Sequence, residues 1–439
     1  MKETDLIIIG AGPGGYRAAE YAAKQGLKVT IFEGAEVGGT CLNVGCIPTK
    51  TYVHSATFDE ARERMAQVVP QLRAGVEGIL SHPNITLVRE KASFVNHGDC
   101  PCDSSEAKIM GTVPVIRAGE ETYTAKDIII ATGSETKWLP IEGIKTDPRV
   151  VDSTGLLQLD HLPKRLAIIG AGVIGMEFAS VFNRFGSEVT VIEYLKECLP
   201  ALDSDIAKRL RKLLEKRGIT FKMKTAVQSL ADIDADVILM ATGRKPRTAG
   251  LNLEAAGITL APNGAIPVDD NYQLSIVNGQ LSGLYAIGDV NGKQMLAHAA
   301  EMQAVRAVNH ILGKPDGIRF DIMPAAIFTE PEAACVGPSE DQLKAQGIPY
   351  VCKKSFWRAN GKALAMGETE GMLKLFVTPP SEGQGGGLIL GCHAYGAHAA
   401  DIIQEVSVLM CKNTTLSELA DMVHIHPTLS EILKNAAEV

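Results

Sequence analysis

Cys41, Cys46 and Lys50 stand close together in GGTCLNVGCIPTK, Gly38 to Lys50. A close thiol pair, in a chain whose first residues enter a strand at once and leave no signal-peptide core, points to redox or metal chemistry rather than to a structural crosslink. No second pair at ligand spacing completes a zinc site, so redox chemistry leads. A disulfide needs Cα atoms roughly 4.4–6.8 Å apart, whereas positions i and i+5 of an ideal helix lie about 8–9 Å apart. The segment between the cysteines must therefore be distorted, and Gly45 and Pro48 suit that. A helix running on from Cys46 sets Lys50 on the same face one turn later. A thiolate at Cys46 and the ammonium of Lys50 then address one object, and that object should accept electrons.

The elements that must position this segment read as a repeated nucleotide-binding unit. Residues 6–9, LIII, form a short apolar run expected to be a buried parallel strand. Gly10, Gly12 and Gly15 follow as G-x-G-x-x-G, then a helix with small residues at Ala18, Ala19, Ala22 and Ala23, and a strand, KVTIF, ending at Glu33. Such glycines allow a tight turn and close approach to a pyrophosphate, the helix start offers free amides, and the acid takes ribose hydroxyls. A second copy begins with LAIIG at 166–170, continues through Gly170, Gly172 and Gly175, and ends with VTVIE at Glu193. The interval from first glycine to acid is the same in both copies. Two such folds imply two dinucleotides. Glu193 accepts hydrogen bonds from a free 2′-hydroxyl but repels a 2′-phosphate, and no arginine follows it closely, which favours NAD over NADP. DIIIATGS at 127–134 and DVILMATGR at 236–244 close the two copies in parallel. Ahead of the first of these strands the pattern predicts a long helix over 50–80 interrupted near Pro70, and short strands around 85–95 and 113–124.

The chain has 439 residues, 46% of them hydrophobic, and 43 glycines. That length suggests two to four domains. A net charge of −8 and no basic run argue against a nucleic-acid partner. No segment reaches the ~18 apolar residues of a membrane span. A cytoplasmic setting, with the other seven cysteines mostly reduced, is the expectation. Cys100 and Cys102 are read as surface thiols, because no further ligand pair completes a metal site around them.

From these motifs the chain resembles the flavin-dependent pyridine nucleotide-disulfide oxidoreductases. Within them, Leu42, Ile47, Pro48 and Lys50 are most similar to the dihydrolipoamide dehydrogenases. The resemblance covers the whole chain and implies an α/β fold of two Rossmann-like domains, for FAD and NAD, plus a C-terminal α+β dimerisation domain. Its implied boundaries are 1–148 for the FAD domain, 149–250 for the NAD domain, 251–319 for a central domain completing the FAD site, and 320–439 for the interface. It implies that Cys41 meets the substrate and Cys46 faces the flavin, with Lys50 beside the flavin ring and paired with Glu177. Gly10, Gly12, Gly15, Glu33, Thr40, Ala92, Gly133, Asp289 and Ala297 would line FAD. Gly170, Gly172, Gly175, Glu193, Val227 and Gly243 would line NAD. His426 and Glu431, in the closing run HIHPTLSE, would serve as base and orienting carboxylate for the other subunit's disulfide, making a homodimer necessary. The implied reaction oxidises protein-bound dihydrolipoyl groups of a 2-oxoacid dehydrogenase or glycine cleavage complex, and no lipoyl domain is expected within the chain.

The chain also departs from the family. The stretches from Lys50 to Ala92 and from Val227 to Asp236 are shorter than is usual there, and Arg247 stands where the family often has asparagine. Asp289 on its own also reads as a helix cap. Rival members fit less well. Glutathione reductase wants basic residues in place of Glu193, and mercuric reductase wants a C-terminal cysteine pair. A transhydrogenase or a single-cysteine NADH oxidase lacks one of Cys41 and Cys46. A flavoprotein kept as the structural subunit of a complex is the reading from a different class.

Overall fold

The computed structural model describes residues 1–95, 114–274, 283–379 and 387–438. Cys100 and Cys102 lie outside them. The chain divides into two compact units. The first holds Met1–Thr51, Asp59–Lys137 and Gly243–Ile318, and the second holds Tyr52–Phe58, Trp138–Thr242 and Arg319–Val439. The residues expected to form a central domain thus group largely with the first nucleotide fold.

In the first unit, β1 (Lys2–Ile9), α1 (Pro13–Lys24) and β2 (Val29–Phe32) form the glycine-bearing βαβ start. β1 pairs in parallel with β2 and with β6 (Glu121–Ile130), while β3 (Ile85–Val88) extends the sheet beyond β2. β4 (Ala92–Phe94) and β5 (Val115–Ala118) add an antiparallel arm on β6. The returning strand Leu284–Ala286 pairs in parallel with Ile128–Ile130. That pairing delivers Asp289 and the helix Ala297–Ile311 to the sheet end that carries the glycine turn. Continuous apolar strands such as Leu6–Ile9 and Ile128–Ile130 are buried throughout, as a parallel sheet covered on both faces requires. The expected strand at 127–130 is the end of β6, which begins at Glu121.

In the second unit, a parallel five-stranded sheet has Arg165–Ile169 at its centre, flanked by Glu188–Ile192 and Val237–Met240. A second sheet is antiparallel, ordered Ala325–Ile327, Ala333–Val336, Ile389–Tyr395, Met372–Val377 and Val351–Phe356. Its core includes Trp357, Leu373, Leu375, Ile403 and Val406. A buried polar cluster ties the two layers together. Asp203, the N-cap of the helix Ser204–Lys216, takes the Lys374 ammonium on both oxygens at 2.7 and 2.8 Å, and Lys374 also reaches Glu340 at 2.6 Å. The Asp203 N–H donates to His393 Nδ1 at 3.0 Å, and Nε2 of that buried imidazole lies 3.2 Å from the Gly337 carbonyl.

The break expected near Pro70 lies elsewhere. α3 (Cys46–Val53) ends before α4 (Phe58–Leu80), and α4 runs through Pro70 without interruption. A single proline removes one hydrogen bond, which packing can outweigh. The chain breaks at residues 54–57 instead, where Tyr52 and Phe58 join Phe182 and Phe185 in an aromatic cluster. Arg184 donates to the carbonyls of Tyr52 and Ser55 at 2.9 and 3.0 Å, taking up acceptors freed at the end of α3.

Candidate active site

The thiol segment folds as two short helices, α2 (Gly39–Val44) and α3, separated by Gly45. Gly45 is required there: a Cβ would lie 2.8 Å from the Thr40 carbonyl oxygen and 3.3 Å from the Cys41 Cα. This break brings residue 46 back against residue 41, as the disulfide geometry demanded. Cys41 and Cys46 are free thiols. A hydrogen bond with Cys46, then burial, pushes the Cys41 thiol far above its ordinary range, and the positive charge of Lys50 opposes this. The sequence therefore placed Cys41, Cys46 and Lys50 together, and Thr40 stands beside them in α2.

Around the pair are residues the motif did not announce. Tyr16 donates to Glu301 Oε1 at 3.3 Å. Burial first, then the Glu301 charge, pushes the Tyr16 phenol up to about 12, and the Glu301 charge also reaches Cys41. The spacing of α1 alone could have brought Tyr16 to this turn. Nothing in the sequence marked Glu301, which lies 260 residues after Cys41.

The first glycine turn has the shape of a cradle. Gly10 has φ +105°, and a Cβ on it would meet the Ala131 carbonyl oxygen at 2.5 Å. A Cβ on Gly15 would sit 1.8 Å from the Gly10 oxygen. Glu33 accepts the N–H of Ala11 at 2.8 Å and of Ala35 at 2.9 Å. Gly133, at φ +73°, has nothing within 4 Å of a Cβ. Ser134 donates to Asp289, and Arg244 Nε donates to Ser134 Oγ at 2.7 Å. Asp289 sits in a short 3-10 turn, Gly288–Asn291, that is held by Gln303, which accepts the Gly288 N–H at 2.8 Å. Asp289 thus has a hydroxyl partner as well as the cap-like place in a turn that the sequence allowed. Ala297 opens the helix Ala297–Ile311, and Ala92 is buried at the start of β4. The backbone of Arg247 is stitched to this turn, its N–H donating to Gly133 O at 2.9 Å.

The second cradle repeats the first. Gly170 has φ +108°, a Cβ on Gly175 would lie 2.0 Å from the Gly170 oxygen, and Gly172 faces open space. Glu193 accepts the N–H groups of Ala171 and Leu195 at 2.6 and 2.8 Å. Val227 packs against the apolar core beneath this sheet. Gly243, φ +107°, opens the stretch assigned to the first unit. Glu177 is buried and accepts the Phe328 N–H at 2.9 Å. It belongs to the second unit and Lys50 to the first.

His426 Nδ1 lies 2.9 Å from Glu431 Oε1, while Glu431 Oε2 takes the Thr428 N–H at 2.9 Å. The Thr428 amide first, then His426, holds the Glu431 carboxyl below its usual range. The imidazole is largely exposed, and beside it Val423 and Ile425 are 99% and 79% exposed.

Both cradles fit a dinucleotide by the same test: glycines where a Cβ would strike carbonyl oxygen, open space before Gly133 and Gly172, and an acid held at the end of the second strand. Comparison with known proteins agrees. Residues 4–304 match the family model "Pyridine nucleotide-disulphide oxidoreductase", and residues 323–437 match that family's dimerisation domain. The chain is 38% identical to dihydrolipoyl dehydrogenase 3 of Pseudomonas putida, covering 100% of this chain and 98% of that one. It is 37% identical to the mitochondrial dihydrolipoyl dehydrogenase of Pisum sativum, over 99% and 91%. It is 36% identical to leghemoglobin reductase of Glycine max, over 99% and 87%. Among solved structures, the HOCl-induced flavoprotein disulfide reductase RclA from Escherichia coli superposes with a TM-score of 0.87 at 31% identity, over 99% of both chains. The chain belongs to the pyridine nucleotide-disulphide oxidoreductases, with FAD and NAD as its cofactors.

Proposed function

We propose that this chain is a dihydrolipoyl dehydrogenase, acting as a homodimer on lipoyl groups carried by a 2-oxoacid dehydrogenase or glycine cleavage complex. The observation that carries the reading is the thiol pair itself, Cys41 and Cys46 apposed across the Gly45 break within the electrostatic reach of Lys50. The naming of relatives at 37–38% identity supports the lipoyl substrate. The grip of Glu193 on two backbone amides supports NAD over NADP. The matched dimerisation domain and the exposed Val423 and Ile425 support the dimer.

In the first half-reaction the enzyme holds a Cys41–Cys46 disulfide. His426 of the partner subunit, with its Nδ1–H donated to Glu431, takes a proton from one substrate thiol at Nε2. The substrate thiolate attacks Cys41, releasing Cys46 as thiolate. The second substrate thiol then attacks the mixed disulfide, the lipoyl ring closes, and Cys41 leaves reduced. One disulfide is formed and one broken. The hydrogen bond between the two thiols and the burial of Cys41 keep the proton on Cys41, while Lys50 offsets charge on Cys46. Held at the Gly10–Gly15 turn with Glu33, FAD would supply a two-electron acceptor for the dithiol, and NAD, held at the Gly170–Gly175 turn with Glu193, would supply the outgoing hydride acceptor.

The test is NADH appearance from dihydrolipoamide and NAD, with NADP and glutathione as controls. Cys46→Ser should abolish turnover. His426→Gln should lower kcat by about 10²–10⁴, the usual worth of a positioned base. A yellow, folded dimer that makes no NADH overturns the lipoyl assignment. The likeness to leghemoglobin reductase and RclA favours a second reading, another NAD(P)H-dependent disulfide reductase, which that outcome would support.

A further inference from the structure

We propose that Asn43 and Arg73 act together as a positioning strut that holds the Cys41-bearing helix against the first glycine turn, and so sets how readily the thiol pair closes. The proposal rests on reading Cys41 and Cys46 as the redox pair.

α2 has only six residues, too few to be stable through its own hydrogen bonds. Its hold comes from a side chain between the two cysteines. Asn43 Nδ2 donates to the carbonyls of Val37 at 2.9 Å and Gly39 at 3.0 Å. One amide hydrogen is thereby spent on the loop that enters the helix and the other on the helix's own first residue. Only one orientation of the amide allows this, and Arg73 of α4 fixes it by donating from Nε to Asn43 Oδ1 at 3.0 Å. Arg73 is itself steadied by Glu36, 3.4 Å from Nη1.

The loop so gripped is also the cover of the dinucleotide cradle. The Gly38 N–H donates to the Ala11 carbonyl at 2.8 Å, and a Cβ on Gly39 would lie 2.7 Å from the Gly12 Cα. One set of bonds therefore fixes the loop on the glycine turn and Cys41 at its place opposite Cys46. Nearness of two thiols sets the tendency to close a disulfide, through the effective concentration of one for the other. Releasing α2 lowers that concentration and favours the dithiol.

The experiment equilibrates the purified, FAD-loaded protein anaerobically in glutathione buffers, where oxidised glutathione takes the two thiol protons and electrons to give two reduced molecules. The oxidised fraction is read by alkylation of Cys41 and Cys46 and peptide mass spectrometry, with flavin absorbance and circular dichroism alongside. Arg73→Ala should shift the thiol–disulfide equilibrium toward the dithiol about tenfold, which is about 30 mV for a two-electron couple. Arg73→Lys keeps the charge near Glu36 but lacks the planar Nε donor, and should behave like Arg73→Ala. Asn43→Asp keeps the shape but faces two carbonyls with a carboxylate, and should shift at least as far; it carries the test if Arg73→Ala does not fold. An unchanged equilibrium in folded Arg73→Ala and Asn43→Asp overturns the proposal, as does full recovery in Arg73→Lys. If the unaltered protein forms no disulfide even in excess oxidised glutathione, the redox-pair reading itself fails, an outcome plainly distinct from a shift of zero.

Discussion

The two dinucleotide cradles share a skeleton and differ in what covers it. The first glycines have φ +105° and +108°, and added Cβ atoms there would meet Ala131 O and Ala241 O, both at 2.5 Å. Each acid uses both oxygens on backbone amides, one on the residue just before the middle glycine of the turn and one two residues after the acid itself, Ala11 and Ala35 in one case, Ala171 and Leu195 in the other. Past the acid the copies part. In the first, the chain enters Gly38 and Gly39, passes within van der Waals reach of Gly12, and becomes the thiol-bearing helix. In the second, Leu199 stands where Gly38 does, its N–H on the Ala171 carbonyl at 2.9 Å, but Gly172 has nothing within 4 Å and Val173, Tyr194 and Leu195 are exposed. A covered cradle suits a cofactor that stays, and an open one suits a cofactor that leaves each turnover.

The largest effects should come from the glycines that both copies need. In Gly15→Ala and Gly175→Ala the new Cβ lies about 2 Å from a carbonyl oxygen, at 1.8 and 2.0 Å, so the helix must move off its strand in either case. Gly15→Ala should purify without FAD. Gly175→Ala should purify yellow, with its KM for NAD raised about 10²-fold or more, the scale expected when a helix start no longer meets the phosphates. Flavin content and NAD titration check this together. If Gly175→Ala also loses flavin, the cradles are not independent and the comparison fails.

The second unit also carries a pH sensitivity that can be read separately. Both tryptophans, Trp138 and Trp357, belong to it. Burial, more than any other influence, lowers the His393 imidazole from 6.5 to about 4, between Asp203 and Lys374. A base depressed in the folded state is protonated first in the unfolded chain, so stability falls as pH drops from 6.5 toward 4. By pH 5 the loss should reach about 2 kcal/mol, or roughly 4–8 °C in the melting temperature of a unit this size. Glu340 adds little between pH 7 and pH 5. Burial opposes its ionisation, but Lys374, Lys344 and Tyr350 hold it at about 2, so its contribution fades only below about 4.5. Tryptophan-monitored melting at pH 7 and pH 5 measures the slope. His393→Asn keeps an acceptor for the Asp203 N–H without titrating there, and should flatten it. An unchanged slope in that variant would place the acid sensitivity elsewhere.

What the sequence disclosed follows from how local each feature is. The Gly45 break was legible because a disulfide and an ideal helix disagree over a span of five residues. The twin cradles were legible because strand, glycines, helix and acid are contiguous. Asn43 stood inside the motif, yet its role depends on Arg73, thirty residues away on another helix, and no periodicity in Phe58–Leu80 singles that arginine out. Glu301 escaped for the same reason. Pro70 misled because a local rule was weighed without the packing that overrode it. The segment 251–319, which the resemblance implied as a central domain completing the FAD site, adds the strand Leu284–Ala286 to the first sheet, a long-range pairing that composition alone does not report.

The finest separation of the two copies should come from their acids. Glu33 and Glu193 hold equivalent amide pairs, so Glu→Gln at either site leaves one amide facing an NH₂ group instead of an oxygen and removes a charge-assisted bond. The net loss at the turn is on the order of 1–2 kcal/mol in both. Its visibility should differ. Glu193→Gln keeps the Leu199–Ala171 bond but has nothing packed over Gly172, so the KM for NAD should rise about tenfold and the preference over NADP should narrow as the repelling charge disappears. In Glu33→Gln the Gly38–Ala11 bond and the contact of Gly39 with Gly12 still hold the turn, and the protein should keep its FAD through purification. Steady-state kinetics with both nucleotides, set beside flavin content after dialysis, decides the matter. If Glu33→Gln loses flavin while Glu193→Gln changes KM less than threefold, the cover beyond the acid is not what separates a resident cofactor from an exchanging one.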